Sequence, residues 1–240
     1  MKKPILAVIA ILSVSLSYAQ LWGKKIKGNG NMTTISRTTS DYDAVKCAGS
    51  FDYILVAGEE GKLTIEGEEN LLEYIITEVK DNKLIVKTKN NVNLKTSWNK
   101  TIKVTIPFKD ISVVALSGSG DLYNKDVIKS DDLVVALAGS GDVILDINTQ
   151  KVKGAVSGSG DLTLKGNTND LDARVAGSGD FHGFNLEANN TVVSVAGSGD
   201  AEVVSRKSLK ARVSGSGDIE YKGNPEKEDT KVSGSGSISN

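Results

Sequence analysis

The sequence predicts an all-β fold, a parallel β-solenoid with repeats of about 19–21 residues and an irregular N-terminal β lobe, on three observations. Gly-Ser-Gly-Asp recurs from Gly118, Gly139, Gly158, Gly177, Gly197 and Gly215, and Gly-Ser-Gly-Ser starts at Gly234, at intervals of 21, 19, 19, 20, 18 and 19 residues. Aliphatic residues precede each first glycine by two positions (Leu116, Leu137, Val156, Val175, Val195, Val213, Val232), and an apolar residue follows each motif (Leu122, Val143, Leu162, Phe181, Ala201, Ile219, Ile238). Aromatics are only 5% of the chain, so the core must come from Val, Leu and Ile, which favour strands. A unit this short cannot bury its apolar side alone. Stacked one turn per repeat, equivalent residues fall ~4.8 Å apart in columns that line a continuous interior. Propeller blades need ~40 residues per repeat, helical repeats ~33, and the calcium-binding nonapeptide roll about half the length seen.

Composition narrows the function classes. Lys and Arg number 29 against 30 Asp and Glu, for a formal charge of -1, which excludes a strongly basic nucleic-acid binder. With one cysteine, Cys47, the chain forms no internal disulfide.

Residues 1–19 read as a signal peptide. Lys2 and Lys3 precede an apolar run from Ile5 to Leu16, and Ser17-Tyr18-Ala19 offers small residues for cleavage after Ala19. The run is too short for a membrane span of ~20 residues, and no later segment approaches one, so no integral membrane segment is expected after cleavage. Gln20 rather than Cys would follow the cut, unlike a lipoprotein. Loss of Lys2 and Lys3 moves the charge from -1 to -3. The protein is expected to be exported through the inner membrane, to the periplasm, the cell surface or the medium.

The repeat continues backwards in degenerate form. Gly49-Ser50-Phe51-Asp52 keeps three motif residues, with Cys47 at the inward aliphatic position, where it reads as a buried small hydrophobe. Gly28-Asn29-Gly30-Asn31 lies 21 residues earlier, with Ile26 and Met32 at the apolar places, so residues 20–39 are a polar segment and a candidate first turn. Residues 53–110 break the pattern into strands near 53–57, 62–66, 75–79, 84–89 and 100–107, with turns at Gly58 to Gly61 and Asp81-Asn82 and a helical turn capped by Asn70. Regular Gly-Ser-Gly-Asp turns occupy 111–222, and 223–240 form a last partial turn.

The structural corner of each repeat is assigned to Gly118, Gly120, Gly139, Gly141, Gly158, Gly160, Gly177, Gly179, Gly197, Gly199, Gly215 and Gly217, where the chain needs φ values that other residues resist. Period-2 alternation places Val143, Leu145, Leu162 and Leu164 inward and Asp142, Ile144, Asp161 and Thr163 outward. Asp121, Asp142, Asp161, Asp180, Asp200 and Asp218 then form a column whose neighbours repel by roughly 1 kcal/mol in water. Such a column is hydrated, paired with backbone N–H groups, or neutralised by cations. The plainest reading is an Asx-type bond from each Asp within its own turn. The metal reading is a calcium ladder, a hard cation suiting carboxylate and carbonyl oxygens. No other cofactor is expected.

Ser119, Ser140, Ser159, Ser178, Ser198, Ser216 and Ser235 form a stacked hydroxyl column rather than nucleophiles, because a base would have to stand beside one of them. The only histidine, His182, has no triad spacing. No lysine or helix follows the Gly-Ser-Gly segments as a phosphate loop requires.

Phe51-Asp52-Tyr53-Ile54, Val56 and Gly58, Leu63-Thr64-Ile65-Glu66-Gly67, Asn70-Leu71-Leu72, Leu84-Ile85-Val86 and the Leu116-Ser117-Gly118-Ser119-Gly120-Asp121 repeats occur in an order that resembles the bacterial putative autotransporter adhesin head GIN domain family, from about residue 40 to 222. The resemblance implies a single-stranded right-handed parallel β-helix without established catalytic activity, in exported proteins of Bacteroidetes-type bacteria. Nothing after residue 111 supplies the ~10-residue strands of a translocating barrel.

Variation concentrates in Tyr123 to Asp131, Lys165 to Asp170, Gly183 to Asn190, Ser205 to Ser208 and Lys222 to Thr230, where projecting insertions would form a binding surface. The leading functional expectation is a non-enzymatic cell-envelope or surface scaffold with a glycan or protein partner and no nucleic acid. The alternative is a polysaccharide-acting enzyme with acidic catalysts in a cleft beside the 53–110 block. The exposed edge at the seventh motif, where Ser237 replaces the column Asp, is either a short edge left harmlessly in solvent or a site of fraying or weak end-to-end self-association.

Overall fold

The computed structural model describes residues 23–240; the signal peptide predicted at 1–19 lies outside the described residues. The fold is 68% strand and 2% helix, coiled as a parallel β-solenoid of about 7 turns. The N-terminal part contains β1 (Lys24–Lys27), β2 (Met32–Thr38), β3 (Ala44–Gly49), β4 (Asp52–Ala57), β5 (Lys62–Glu68), the short helix α1 (Glu69–Leu72), β6 (Ile75–Lys80), β7 (Lys83–Thr88), β8 (Val92–Lys95) and β9 (Lys103–Phe108). The regular stack contains β10 (Val113–Gly118), β11 (Leu122–Asn124), β12 (Ile128–Gly139), β13 (Val143–Gly158), β14 (Leu162–Gly177), β15 (Phe181–Gly197), β16 (Ala201–Val204), β17 (Ser208–Gly215), β18 (Ile219–Lys222), β19 (Lys227–Gly234) and β20 (Ile238–Ser239).

Strands before the corner stack in parallel register, Cys47 on Leu116, Leu116 on Leu137, Leu137 on Val156 and onward to Val232. Strands after the corner do the same, from Tyr53 on Leu122 to Ile219 on Ile238. Both inward columns are buried through Val213 and Ile219. Each fully buried aliphatic side chain contributes about 1.5–3 kcal/mol, so the stack is held by its columns more than by any single contact. Side-chain size is matched across the interior: a Cβ on Gly154 would lie 2.8 Å from Phe181 Cε2, so the one phenylalanine of the column occupies space left by a missing side chain.

The order of turns in space differs from the order in sequence. After β4 the chain leaves the stack through β5, α1 and the β6–β7 hairpin, whose turn residues Asp81 and Asn82 both have positive φ, as a two-residue hairpin with this twist requires. It then returns so that β7 pairs with β3 and β9 with β4, and β10 pairs with the other side of β3. The turn outside Cys47 is therefore built by Val86, not by residues 26–32. Here the expectation of a first turn at Gly28 is corrected: β1 pairs in parallel with β8 as a separate two-stranded sheet, and β2 runs antiparallel to β5. Gly28 is needed for another reason, since a Cβ there would collide with the Glu68 carboxylate. Antiparallel β6, β5 and β2 thus cover the strand edges at this end of the stack.

Strand β8 was not foreseen; Asn90-Asn91 turn the chain into it, Asn91 with φ 60°, and Val92-Asn93-Leu94-Lys95 then alternates. Asn70 is not the helix cap; Glu68 takes that position, and Asn70 instead donates to Lys27 O at 2.8 Å and accepts from Asn29 N at 2.9 Å. At the far end the last turn pairs in register through Ser239. There Glu228 and Thr230 stand over Leu209 and Ala211, so polar side chains meet the solvent in the inward column.

Candidate functional site

The repeated corner is built by one backbone device. The carbonyl oxygen of each first glycine accepts two N–H groups from the next turn: Gly118 O takes Ser140 N at 2.9 Å and Gly141 N at 3.1 Å, and Gly158 O takes Ser178 N and Gly179 N. Gly139 has φ 136°, and a Cβ there would lie 2.1 Å from Gly118 O; at Gly141 it would lie 1.9 Å from Gly120 O. The first glycine is thus required by dihedral angle and approach, the second by approach alone. Gly118, Gly158, Gly177, Gly197 and Gly215 stand in the first situation, and Gly120, Gly160, Gly179, Gly199 and Gly217 in the second.

The six aspartates line up beside this corner as a hydrogen-bonded ladder. Asp121 Oδ1 accepts Asp142 N at 3.2 Å, Asp142 accepts Asp161 N at 3.1 Å, and Asp161 accepts Asp180 N at 3.0 Å. Asp180 accepts Asp200 N and Asp200 accepts Asp218 N, each at 2.7 Å. The ladder ends where Ser237 donates both its N–H and its hydroxyl to Asp218 Oδ1. The bond expected within each turn instead runs to the following turn. A parallel stack presents the next N–H to each carboxylate. One oxygen of every Asp is thereby committed to the backbone, and the second is left for solvent or a ligand. The serines of the corner, Ser119 through Ser235, are exposed in a parallel column.

The outward column next to the aspartates runs Ile144, Thr163, His182, Glu202 and Glu220. His182 Nδ1 lies 3.2 Å from Glu202 Oε2, both side chains being about two-fifths exposed. Among the described residues, Asp161, Asp180 and His182 are the one group of metal-ligating side chains whose donor atoms all lie within 4.8 Å of one another. Imidazole with two carboxylates suits a transition-metal ion better than calcium, which takes six to eight oxygens.

The stretches expected to project do not all do so. Residues 165–170 and 183–190 are paired rungs inside β14 and β15, and the longer spacing of the Gly177 repeat is absorbed by a bulge opposite Thr163 and Lys165. That bulge sets Phe184 outward, with Lys222 Nζ 3.8 Å from its ring centroid. A second ladder, missed in the sequence, lies here: Thr149 Oγ1 donates to Thr168 Oγ1 at 3.0 Å, Asn189 Nδ2 to Asn169 Oδ1 at 2.9 Å, and Asn190 Nδ2 to Asp170 Oδ1 at 2.8 Å. Its signal was present in Asn148-Thr149-Gln150 and Asn167-Thr168-Asn169, 19 residues apart. Two shallow depressions of about 400 and 380 Å³ flank it, the first bordered by Asn167, Glu187, Asn189 and Arg206, the second by Lys129, Asn148 and Gln150. Neither is lined by residues of the 53–110 block, beside which a cleft was expected. Cys47 is buried, which pushes its thiol well above the ordinary range and keeps it un-ionised.

A family profile described as putative auto-transporter adhesin, head GIN domain, matches residues 41–225, from just before β3 to just past β18. The chain belongs to this family. Three solved structures are similar across the head GIN fold. A putative adhesin from Bacteroides fragilis is 24% identical with a TM-score of 0.82, covering 90% of this chain and 99% of that one. A putative lipid binding protein from Parabacteroides distasonis is 27% identical with a TM-score of 0.75, covering 90% and 99%. A putative adhesin from Parabacteroides merdae is 24% identical with a TM-score of 0.70, covering 90% and 98%. No curated protein matches the chain. No helix among the described residues of this head GIN protein is long and apolar enough to cross a membrane.

Proposed function

We propose that this head GIN chain is an exported, non-enzymatic β-solenoid that serves as a cell-envelope or surface binding scaffold, with its corner face as the contact surface for an envelope glycan. The observation that carries this reading is the register of the corner: one serine hydroxyl and one uncommitted Asp oxygen recur at each of the six turns from Asp121 to Asp218, spaced by the strand separation of ~4.8 Å. A ligand with a hydroxyl repeat meets several equivalent acceptors at once, and weak contacts linked this way gain avidity without any deep pocket. The signal pattern at 1–19 and the adhesin names in the family support export and adhesion.

Catalysis by paired carboxylates depends on environments that push two pKa values apart. The corner aspartates instead share one environment, which favours binding over turnover. The test is isothermal titration of the chain lacking residues 1–19 with purified envelope polysaccharides, beside the variant S159K/S178K. Those serines are exposed, so the variant blocks the face without touching the core. Binding by the wild type that is lost in the variant, with no release of reducing ends, supports the scaffold. Release of reducing ends, or equal binding by both, overturns it.

A further inference from the structure

At the end of the stack opposite β19, Trp98 is 96% exposed, the largest exposure among the large apolar side chains of the described residues. Its loop is nevertheless held firmly. Glu68, fully buried, accepts Ser97 N at 2.8 Å, Ser97 Oγ at 2.5 Å and Gly30 N at 2.6 Å, and Lys100 Nζ bonds Gly30 O. One carboxylate therefore ties the Trp98 loop to the β1–β2 turn and presents the indole on a rigid mount.

The neighbouring two-stranded sheet is basic on its outer face. Ile26 and Leu94 pack against the core, so Lys25, Lys27, Asn93 and Lys95 point away from it. Lys27 and Lys95 are register partners on adjacent strands, an arrangement of like charges that costs stability. Among the described residues, none of Lys24, Lys25, Lys27 and Lys95 is in an ion pair. On the α1 side the patch is bounded by Glu69, whose N–H bonds Asn31 O.

We infer that this end docks on an anionic lipid surface, with Trp98 seated at the headgroup level and Lys25, Lys27 and Lys95 facing the lipid charges. A tryptophan with both ring faces free and no groove walls fits a deformable interface, where an indole is apolar over most of its surface and polar at one edge. Each lysine near an anionic bilayer adds roughly 1 kcal/mol of attraction. Docked in this way, the solenoid axis leads away from the membrane and the corner ladder stays free.

The experiment is co-sedimentation of the chain lacking residues 1–19 with vesicles of phosphatidylglycerol and phosphatidylcholine, and with phosphatidylcholine alone. Binding to the anionic vesicles only, weakened at least about tenfold in W98A and in K27E/K95E, is expected from two reversed charges and a lost anchor. All three residues are exposed, and an unchanged circular dichroism spectrum confirms that the variants fold. No sedimentation with anionic vesicles, or equal sedimentation of wild type and both variants, overturns the inference. Patch-dependent binding to polygalacturonate without vesicle binding also overturns it, in favour of an acidic glycan.

Discussion

Asp180 donates its backbone N–H to Asp161 Oδ1 at 3.0 Å, across the gap between two turns. The same bond recurs from Asp121 to Ser237, so a column of like charges is also a column of acceptors. Stacked carboxylates are tolerated because each gains a charge-assisted bond while its other oxygen stays hydrated.

This predicts different outcomes for a single and a double substitution in the column. Asp161→Ala removes an acceptor and costs about 0.5–1.5 kcal/mol. The double variant D161N/D180N keeps both amide oxygens as acceptors and removes two neighbouring charges, so it is neutral or more stable by up to about 1 kcal/mol, most visibly at low salt. Urea unfolding at two salt concentrations checks both.

Gly139→Ala and Gly141→Ala are each expected to destabilise by more than about 3 kcal/mol, since both place a methyl against a carbonyl oxygen and the first also holds positive φ. Thermal unfolding measures this. The nearby exposed Ser140→Ala serves as the control, with a change within about 0.5 kcal/mol.

Gly154 and Phe181 should couple. Gly154→Ala overpacks the interior by about 1–3 kcal/mol, because its Cβ meets Phe181 Cε2 at 2.8 Å. Phe181→Leu makes room, so the double variant is less destabilised than the sum, with a coupling energy of about 0.5–3 kcal/mol in a double-mutant cycle.

The stack was legible because a recurring motif maps directly onto spatial columns. Leu116, Leu137 and Val156 hold the same place before their motifs, 21 and 19 residues apart, and are register partners in space. The N-terminal lobe was less legible. Nothing in Leu84-Ile85-Val86 indicates that it packs outside Cys47 rather than after it, since that pairing depends on the whole β5 to β7 excursion returning to the near edge. The direction of the Asp bonds was hidden for a similar reason: a local motif suggests a local bond, and the nearer donor is supplied by the adjacent turn. The second ladder was obscured by the bulge near Gly183, which offsets the Asn and Thr positions of β15 by one residue from those of β14.

Glu68 makes stability depend on pH. Burial raises its pKa, but the hydroxyl and N–H of Ser97, the N–H of Gly30 and the charge of Lys100 outweigh burial and hold it below the ordinary 4.5. A carboxyl depressed on folding stabilises the native state above its unfolded pKa, and that contribution is lost as pH falls through the folded value. The stability difference between wild type and Glu68→Gln is therefore constant above about pH 5 and shrinks below 4.5, as chemical unfolding across that range measures.

The most direct test of the corner as a binding face is backbone amide NMR of the chain lacking residues 1–19 during titration with an envelope polysaccharide that binds. The largest shift changes are expected on Ser140, Asp142, Ser159, Asp161, Ser178 and Asp180, with the buried columns and the Trp98 loop little affected. Changes centred on the depression near Asn167 and Arg206, or on the junction with residues 53–110, would contradict a binding face at the corner.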